Sequence, residues 1–163
     1  DMLPSTTARL AELPNIVGIK DATGDLSRGA ELLAVCGDKI AIYSGDDATA
    51  VEFMLMGGMG NVSVTANVAP LEMAQLCRLA MAASTGSEQD KQQARDLNQA
   101  LALLNNDLFV EANPIPVKWA LAKMGLVTEA IRLPLTVLDS QYHAKIEKAL
   151  AAANITSEPT KAN

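Results

Sequence analysis

A lysine ends a short apolar run near the start of the chain. The run Ile16–Ile19 has no polar alternation, which favours a strand buried on both faces of a parallel sheet. Lys20 follows it, and strand ends of this kind carry the chemistry in βα barrels. A free lysine is mostly a protonated ammonium at neutral pH, but burial at an apolar strand end lowers the pKa of such an amine enough for Schiff-base chemistry. Lys20 is therefore a candidate nucleophile; the alternative is a lysine whose stem covers apolar surface at a strand end.

A small residue and two carboxylates follow the second strand-like run. Gly45 permits a ligand to approach the backbone closely, although a plain turn glycine is the alternative. Asp46 and Asp47 are adjacent, so their side chains point apart and do not automatically form a carboxylate pair. We expect them to cap the helix that begins at Ala48.

The other candidate motifs favour structural roles. The glycines of Gly57–Gly60 precede a strand and do not match a dinucleotide-binding loop. His143, the only histidine, lies in a polar stretch and is expected at the surface. Cys36 and Cys77 lie far apart without metal-type spacing, which predicts reduced thiols. We expect neither a metal nor a cofactor.

The elements that would position Lys20 alternate between strand and helix. Strands are predicted to begin near residues 16, 40 and 61, with helices between them. This rhythm is typical of parallel strands joined by right-handed crossovers. Beyond Pro70 the alternation stops: helices are predicted, with a polar break at 84–89 and an extended segment at 133–135.

Composition excludes several classes of function. The chain has 163 residues, 49% of them apolar, and a formal net charge of −6. Binding to nucleic acid or to an anionic membrane is favoured by positive charge, and this chain is negatively charged overall. No signal peptide and no long apolar segment are evident, so a cytoplasmic protein is expected.

Three segments resemble one enzyme family in order and spacing. They are NIVGIKDATGDLSR, YSGDDATAVEFMLMGGMGNVSVTANVAP and LFVEANPIPVKWAL, and they resemble the dihydrodipicolinate synthase family. The resemblance runs from about Asp1 to about Ala152 and begins partway into the family's pattern. The chain is therefore expected to be a C-terminal half whose N-terminal half is missing.

The resemblance implies an α/β fold: the C-terminal part, about three βα units, of a (β/α)₈ TIM barrel, followed by a helical extension. The expected regions are a partial barrel over 1–83, a helical region over 84–154 and a flexible tail over 155–163. An open sheet of this kind leaves strand edges unpaired. When complete, the protein is expected to be a homo-oligomer, a dimer or tetramer.

The resemblance also implies a reaction and its residues. In this family the motif lysine, here Lys20, forms a Schiff base with pyruvate, and the derived enamine attacks L-aspartate 4-semialdehyde in lysine biosynthesis through diaminopimelate. Val62 matches a position, usually isoleucine, whose backbone carbonyl contacts the pyruvyl group, and Gly45 is a second candidate contact. The alternatives are N-acetylneuraminate lyase, a 2-keto-3-deoxy-sugar-acid aldolase, or a non-catalytic half-barrel that needs a partner.

Overall fold

The sheet-forming part of the chain is a parallel pair of short strands connected by a helix. The computed structural model describes residues 1–155. Strand β1 (Gly18–Asp21) pairs in parallel with β2 (Ala41–Ser44), with Gly18 opposite Ala41 and Lys20 opposite Tyr43. The seven α-helices of the described residues are α1 (Pro4–Leu10), α2 (Leu26–Cys36), α3 (Ala50–Leu55), α4 (Pro70–Ala83), α5 (Glu88–Asp107), α6 (Ile115–Lys123) and α7 (His143–Ala152).

A cluster of apolar side chains covers one face of this sheet. Ile42 of β2 packs with Leu32 and Cys36 of α2 and with Phe53 of α3, and each of these side chains is at most 5% exposed. Ile19 of β1 packs against the same cluster. Because side chains alternate along a strand, Lys20 and Tyr43 point to the opposite face. The helices therefore cover the back of the sheet and leave the lysine on its other side.

The first strand differs from its prediction in place and in burial. It begins two residues later than the apolar run, at Gly18. Burial on both faces is wrong, since Val17 is 77% exposed and Lys20 is exposed. The reason is topological: within residues 1–155, β1 has a neighbouring strand only on its β2 side.

The predicted third strand, Asn61–Thr65, is present only as a single bridge. Asn61 forms a parallel bridge with Ser44, and the chain then turns into a short 3₁₀ helix, Thr65–Asn67. The Thr65 hydroxyl is buried and donates to Asn105 Oδ1 at 2.9 Å. Three β-branched residues in the segment suggested a strand, but this long-range hydrogen bond overrides local preference.

The described contacts divide the chain into two compact units. The first comprises Asp1–Ser63 with Ala74–Leu97, and the second comprises Val64–Met73 with the chain from Asn98 onward. Helices α5, α6 and α7 lie within the region predicted to be helical, residues 84–154. Of the predicted tail 155–163, only Ile155 lies within the described residues.

The second unit contains a contact that the sequence did not predict. His143 is half-buried and stacks on Trp119, with ring centroids 4.4 Å apart and planes at 24°. Lys123 Nζ lies 5.7 Å from the centroid of the Trp119 ring and pairs with Glu147 Oε1 at 2.6 Å. This ion pair is the main reason that the pKa of the Glu147 carboxyl lies below its ordinary value. His143 therefore helps join α6 to α7, and the expectation of a plain surface histidine is wrong.

None of the helices in residues 1–155 combines the length and the apolar character that crossing a membrane requires.

Candidate active site around Lys20

Lys20 is the next-to-last residue of β1 and lies on the open face of the sheet. Its register partner is Tyr43 of β2, whose ring lies beside two glycines. A Cβ built on Gly18 would lie 3.4 Å from Tyr43 Cε2, and one built on Gly60 would lie 3.4 Å from Tyr43 Cδ1. Both glycines thus flank the Tyr43 ring, and a Cβ at Gly18 would lie 2.9 Å from the Ala41 carbonyl oxygen, too close for a side chain at that position.

Gly45 makes room for the lysine itself. A Cβ built there would lie 2.9 Å from Lys20 Cγ and closer still to Lys20 Cε. It would also lie 2.8 Å from the Cβ of Ala22. The Gly45 N–H donates to the Asp21 carbonyl at 2.7 Å, which holds the two chain segments together. Gly45 is thus a packing partner of the lysine stem, a role that the sequence did not suggest.

We predict that Gly45→Ala will displace Lys20 and lower the Tm somewhat, because the new methyl group would also crowd the Cβ of Ala22. The lysine stem is flexible and can move aside, whereas a misplacement of about 1 Å at a reacting group costs about 10²-fold in rate. The measurement is the rate at which borohydride traps a pyruvate adduct in the chain assembled with an N-terminal-half polypeptide, with thermal unfolding recorded in parallel. Gly57→Ala is the control. A Cβ at Gly57 would meet nothing within 4 Å, but the φ of +113° is unfavourable for alanine, so this variant introduces backbone strain at a position distant from Lys20 in the sequence. Equal trapping rates for the two variants would contradict the prediction.

Val62 lies on the segment that pairs with the other edge of β2. Its N–H donates to the Ser44 carbonyl at 2.8 Å, and the Ser44 N–H donates to the Gly60 carbonyl at 2.9 Å. The bridge pairs Asn61 with Ser44, so alternation places Val62 on the face of Tyr43 and Lys20. The Val62 side chain is half exposed there. The structure thus brings Lys20, Gly45 and Val62 to one face of the first unit.

Asp21 anchors the turn that follows Lys20. Its Oδ2 accepts a hydrogen bond from Arg28 Nε at 3.1 Å, and its Oδ1 accepts one from the Thr23 N–H at 3.0 Å. Gly24, at φ +71°, completes the turn in a conformation that side chains disfavour. Asp25 then caps α2 by accepting from the Ser27 and Arg28 N–H groups. The turn after Lys20 is thus held by side-chain hydrogen bonds, one of them an arginine contact that sequence spacing did not reveal.

The adjacent carboxylates Asp46 and Asp47 have different surroundings. Asp46 Oδ2 accepts hydrogen bonds from the N–H and the hydroxyl of Thr49, at 3.0 and 2.7 Å, at the start of α3. The expected cap of a helix from Ala48 is therefore wrong: α3 begins at Ala50, its N-cap residue Thr49 makes no side-chain capping bond, and Asp46 holds the turn before the helix. Asp47 is only 1% exposed and accepts a hydrogen bond from Asn61 Nδ2 at 2.7 Å. Its burial and this long-range partner go beyond capping.

Neither thiol is linked to Lys20 by a contact. Cys36 is buried in the apolar cluster, and Cys77 is partly buried; both are free. Burial raises the pKa of both thiols, which keeps them protonated and weakly nucleophilic. In the described part of the chain, no group of three potential ligand side chains is placed to hold a metal ion.

Comparison with known proteins places this chain in a family. The model of the dihydrodipicolinate synthetase family matches residues 1–153, and the chain belongs to that family. It is 58% identical over 156 residues to 4-hydroxy-tetrahydrodipicolinate synthase of Thioalkalivibrio sulfidiphilus, covering 96% of this chain and 51% of the relative. The same enzyme of Marinobacter nauticus is 57% identical over 155 residues, covering 95% and 51%.

Solved structures agree with the sequence comparison. The chloride-inhibited dihydrodipicolinate synthase of Acinetobacter baumannii, in complex with pyruvate, matches with a TM-score of 0.90 and 54% identity, over 96% of this chain and 52% of that one. The synthase of Methylacidiphilum fumariolicum SolV matches with a TM-score of 0.86 and 39% identity, over 94% and 50%. The chain therefore spans about half the length of the relatives it matches, which have the TIM-barrel fold.

Proposed function

We propose that this chain supplies the Schiff-base lysine of a 4-hydroxy-tetrahydrodipicolinate synthase, which condenses pyruvate with L-aspartate 4-semialdehyde. The observation that carries the proposal is the placement of Lys20 beside Gly45, on the open face of a sheet in a chain of this family. The pyruvate complex of the A. baumannii enzyme supports pyruvate as the first substrate. We propose Lys20 as the catalytic residue and Val62 and Gly45 as pyruvate contacts.

The chemistry follows from a neutral amine on Lys20. Its nitrogen attacks the carbonyl carbon of pyruvate, and loss of water leaves an imine. Loss of a proton from the methyl group converts the imine to an enamine, whose terminal carbon forms a bond to the aldehyde carbon of the semialdehyde. The semialdehyde's own amine then displaces Lys20 as the ring closes, which returns the lysine to its starting state.

The complete enzyme is proposed as a (β/α)₈ barrel in which residues 1–83 supply about three βα units and residues 84–154 a helical extension. Within residues 1–155, the free edge of β1 is where further parallel strands would pair. We propose that the complete enzyme is a cytoplasmic homo-oligomer, a dimer or tetramer, that acts in lysine biosynthesis through diaminopimelate. It would use neither a metal nor a cofactor, and it would bind neither nucleic acid nor a membrane.

Substrate range tests the proposal against its rivals. The chain is combined with an N-terminal-half polypeptide of a family member and assayed with pyruvate plus L-aspartate 4-semialdehyde. Turnover of this pair is expected, with cleavage of N-acetylneuraminate and of 2-keto-3-deoxy-sugar acids at background. The reverse pattern would assign the chain to a sugar-acid aldolase. Assembly without any pyruvate adduct would indicate a non-catalytic half-barrel.

A further inference from the structure

We propose that the hydrogen bond between Asp47 and Asn61 is a positioning contact of the pyruvate site, an inference that rests on the function proposed above. Asn61 Nδ2 donates to Asp47 Oδ1 at 2.7 Å. Asp47 lies two residues after Gly45, beside which the Lys20 stem lies, and Asn61 immediately precedes Val62. The bond therefore ties together the two segments on which pyruvate would be held.

The burial of Asp47 calls for a function beyond helix capping. At 1% exposure it is the most buried carboxylate of the described residues. A carboxylate is costly to bury unless strong hydrogen bonds compensate it. Asp46 already accepts from Thr49 at the start of α3. The hydrogen bond from Asn61 therefore gives the buried Asp47 carboxylate a role that is distinct from that of Asp46.

The orientation of Asn61 is set by the same contact. Only the amide nitrogen can donate to a carboxylate, so Nδ2 faces Asp47 and Oδ1 faces away. That oxygen is buried and has no donor among the described residues. An apolar side chain at position 61 would not leave a buried oxygen without a hydrogen bond. The amide is therefore useful here because its nitrogen can donate to Asp47.

The Asp47 contact supplements the backbone pairing of this segment. The two backbone hydrogen bonds to Ser44 fix the Gly60 carbonyl and the Val62 N–H. The Asn61 N–H is directed at the Cys77 sulfur and partly offsets the effect of burial on the pKa of that thiol. The Asn61 side chain adds a third restraint, one residue before the Val62 carbonyl. Loosening it should weaken pyruvate binding more than it alters the chemistry at Lys20.

The variant Asn61→Leu tests this inference in the chain assembled with an N-terminal-half polypeptide. Leucine keeps the forked shape of asparagine but cannot donate a hydrogen bond. We expect the KM for pyruvate to rise about 10- to 100-fold while kcat changes only a few-fold. Asp47→Asn keeps an acceptor oxygen and should change KM only a few-fold. Asn106→Leu is the matched control, since Asn106 Nδ2 donates at an exposed site to the Ala102 carbonyl.

A second measurement is independent of turnover. Amide hydrogen exchange at Val62 in the 163-residue chain should be faster in Asn61→Leu than in the unaltered chain, and unchanged in Asn106→Leu. Unchanged exchange at Val62 would overturn the inference, as would a lower Tm with an unaltered KM for pyruvate. If the unaltered assembly forms no pyruvate adduct, the proposed function has failed. Faster exchange at Val62 would then still support the contact as the restraint on this segment.

Discussion

The 163-residue polypeptide by itself is expected to show no measurable condensation of pyruvate with L-aspartate 4-semialdehyde. Schiff-base chemistry requires a neutral amine, and a lysine obtains one from a walled, apolar pocket. Lys20 is exposed, and within residues 1–155 the sheet offers it only two strands and one bridged segment. Residues 1–155 therefore do not enclose Lys20 in the walled pocket that this chemistry requires.

The reaction also needs a positioned acid or base to move protons. Such a group contributes about 10²–10⁴-fold to rate, and we expect the other half of the barrel to supply it. The measurement is coupled turnover by the purified polypeptide, before and after addition of an N-terminal-half polypeptide. Activity is expected only after addition. Near-normal activity from the polypeptide alone would contradict both the burial argument and the need for the other half.

The variant Lys20→Arg is expected to lose the covalent step completely in the assembled protein. Arginine keeps the positive charge, but its guanidinium remains protonated and does not form an imine with a ketone. Because arginine also has an unbranched alkyl stem that can lie beside Gly45, the fold should be retained. Turnover should fall to background while thermal unfolding changes little.

A matched lysine separates this effect from a general loss of positive charge or packing. Lys39 lies in the same unit and pairs with Glu12, a contact that arginine can also make. Lys39→Arg should therefore leave turnover unchanged. Retention of activity in Lys20→Arg would show that another group attacks pyruvate.

The elements around the site were predictable because local signals set them. The apolar run before Lys20 and the glycine after β2 each act over a few residues, and both occur within two residues of their predicted places. The place of Lys20 near the strand end follows from these signals alone. The exposure of β1 could not be predicted in this way. Its apolar residues look like those of a buried strand, but within residues 1–155 β1 has a neighbouring strand only on its β2 side.

The contacts that depend on distant residues could not be predicted. Asp47 and Asn61 are 14 residues apart and meet only because Asn61 bridges to β2. The Thr65 hydroxyl finds its acceptor in Asn105, 40 residues away, which ends the expected third strand. Such hydrogen bonds form only once the fold brings distant residues together. No local pattern of charge or hydropathy in the sequence indicates them.

Borohydride reduction of the assembled protein in the presence of pyruvate, followed by peptide mapping, tests the central claim most directly. Reduction converts the imine to a stable secondary amine, so the modified residue keeps the mass of the adduct. The added mass is expected on Lys20 alone, and it should be lost in Lys20→Arg. Labelling of Lys118 or Lys123 in place of Lys20 would contradict the assignment of the catalytic lysine.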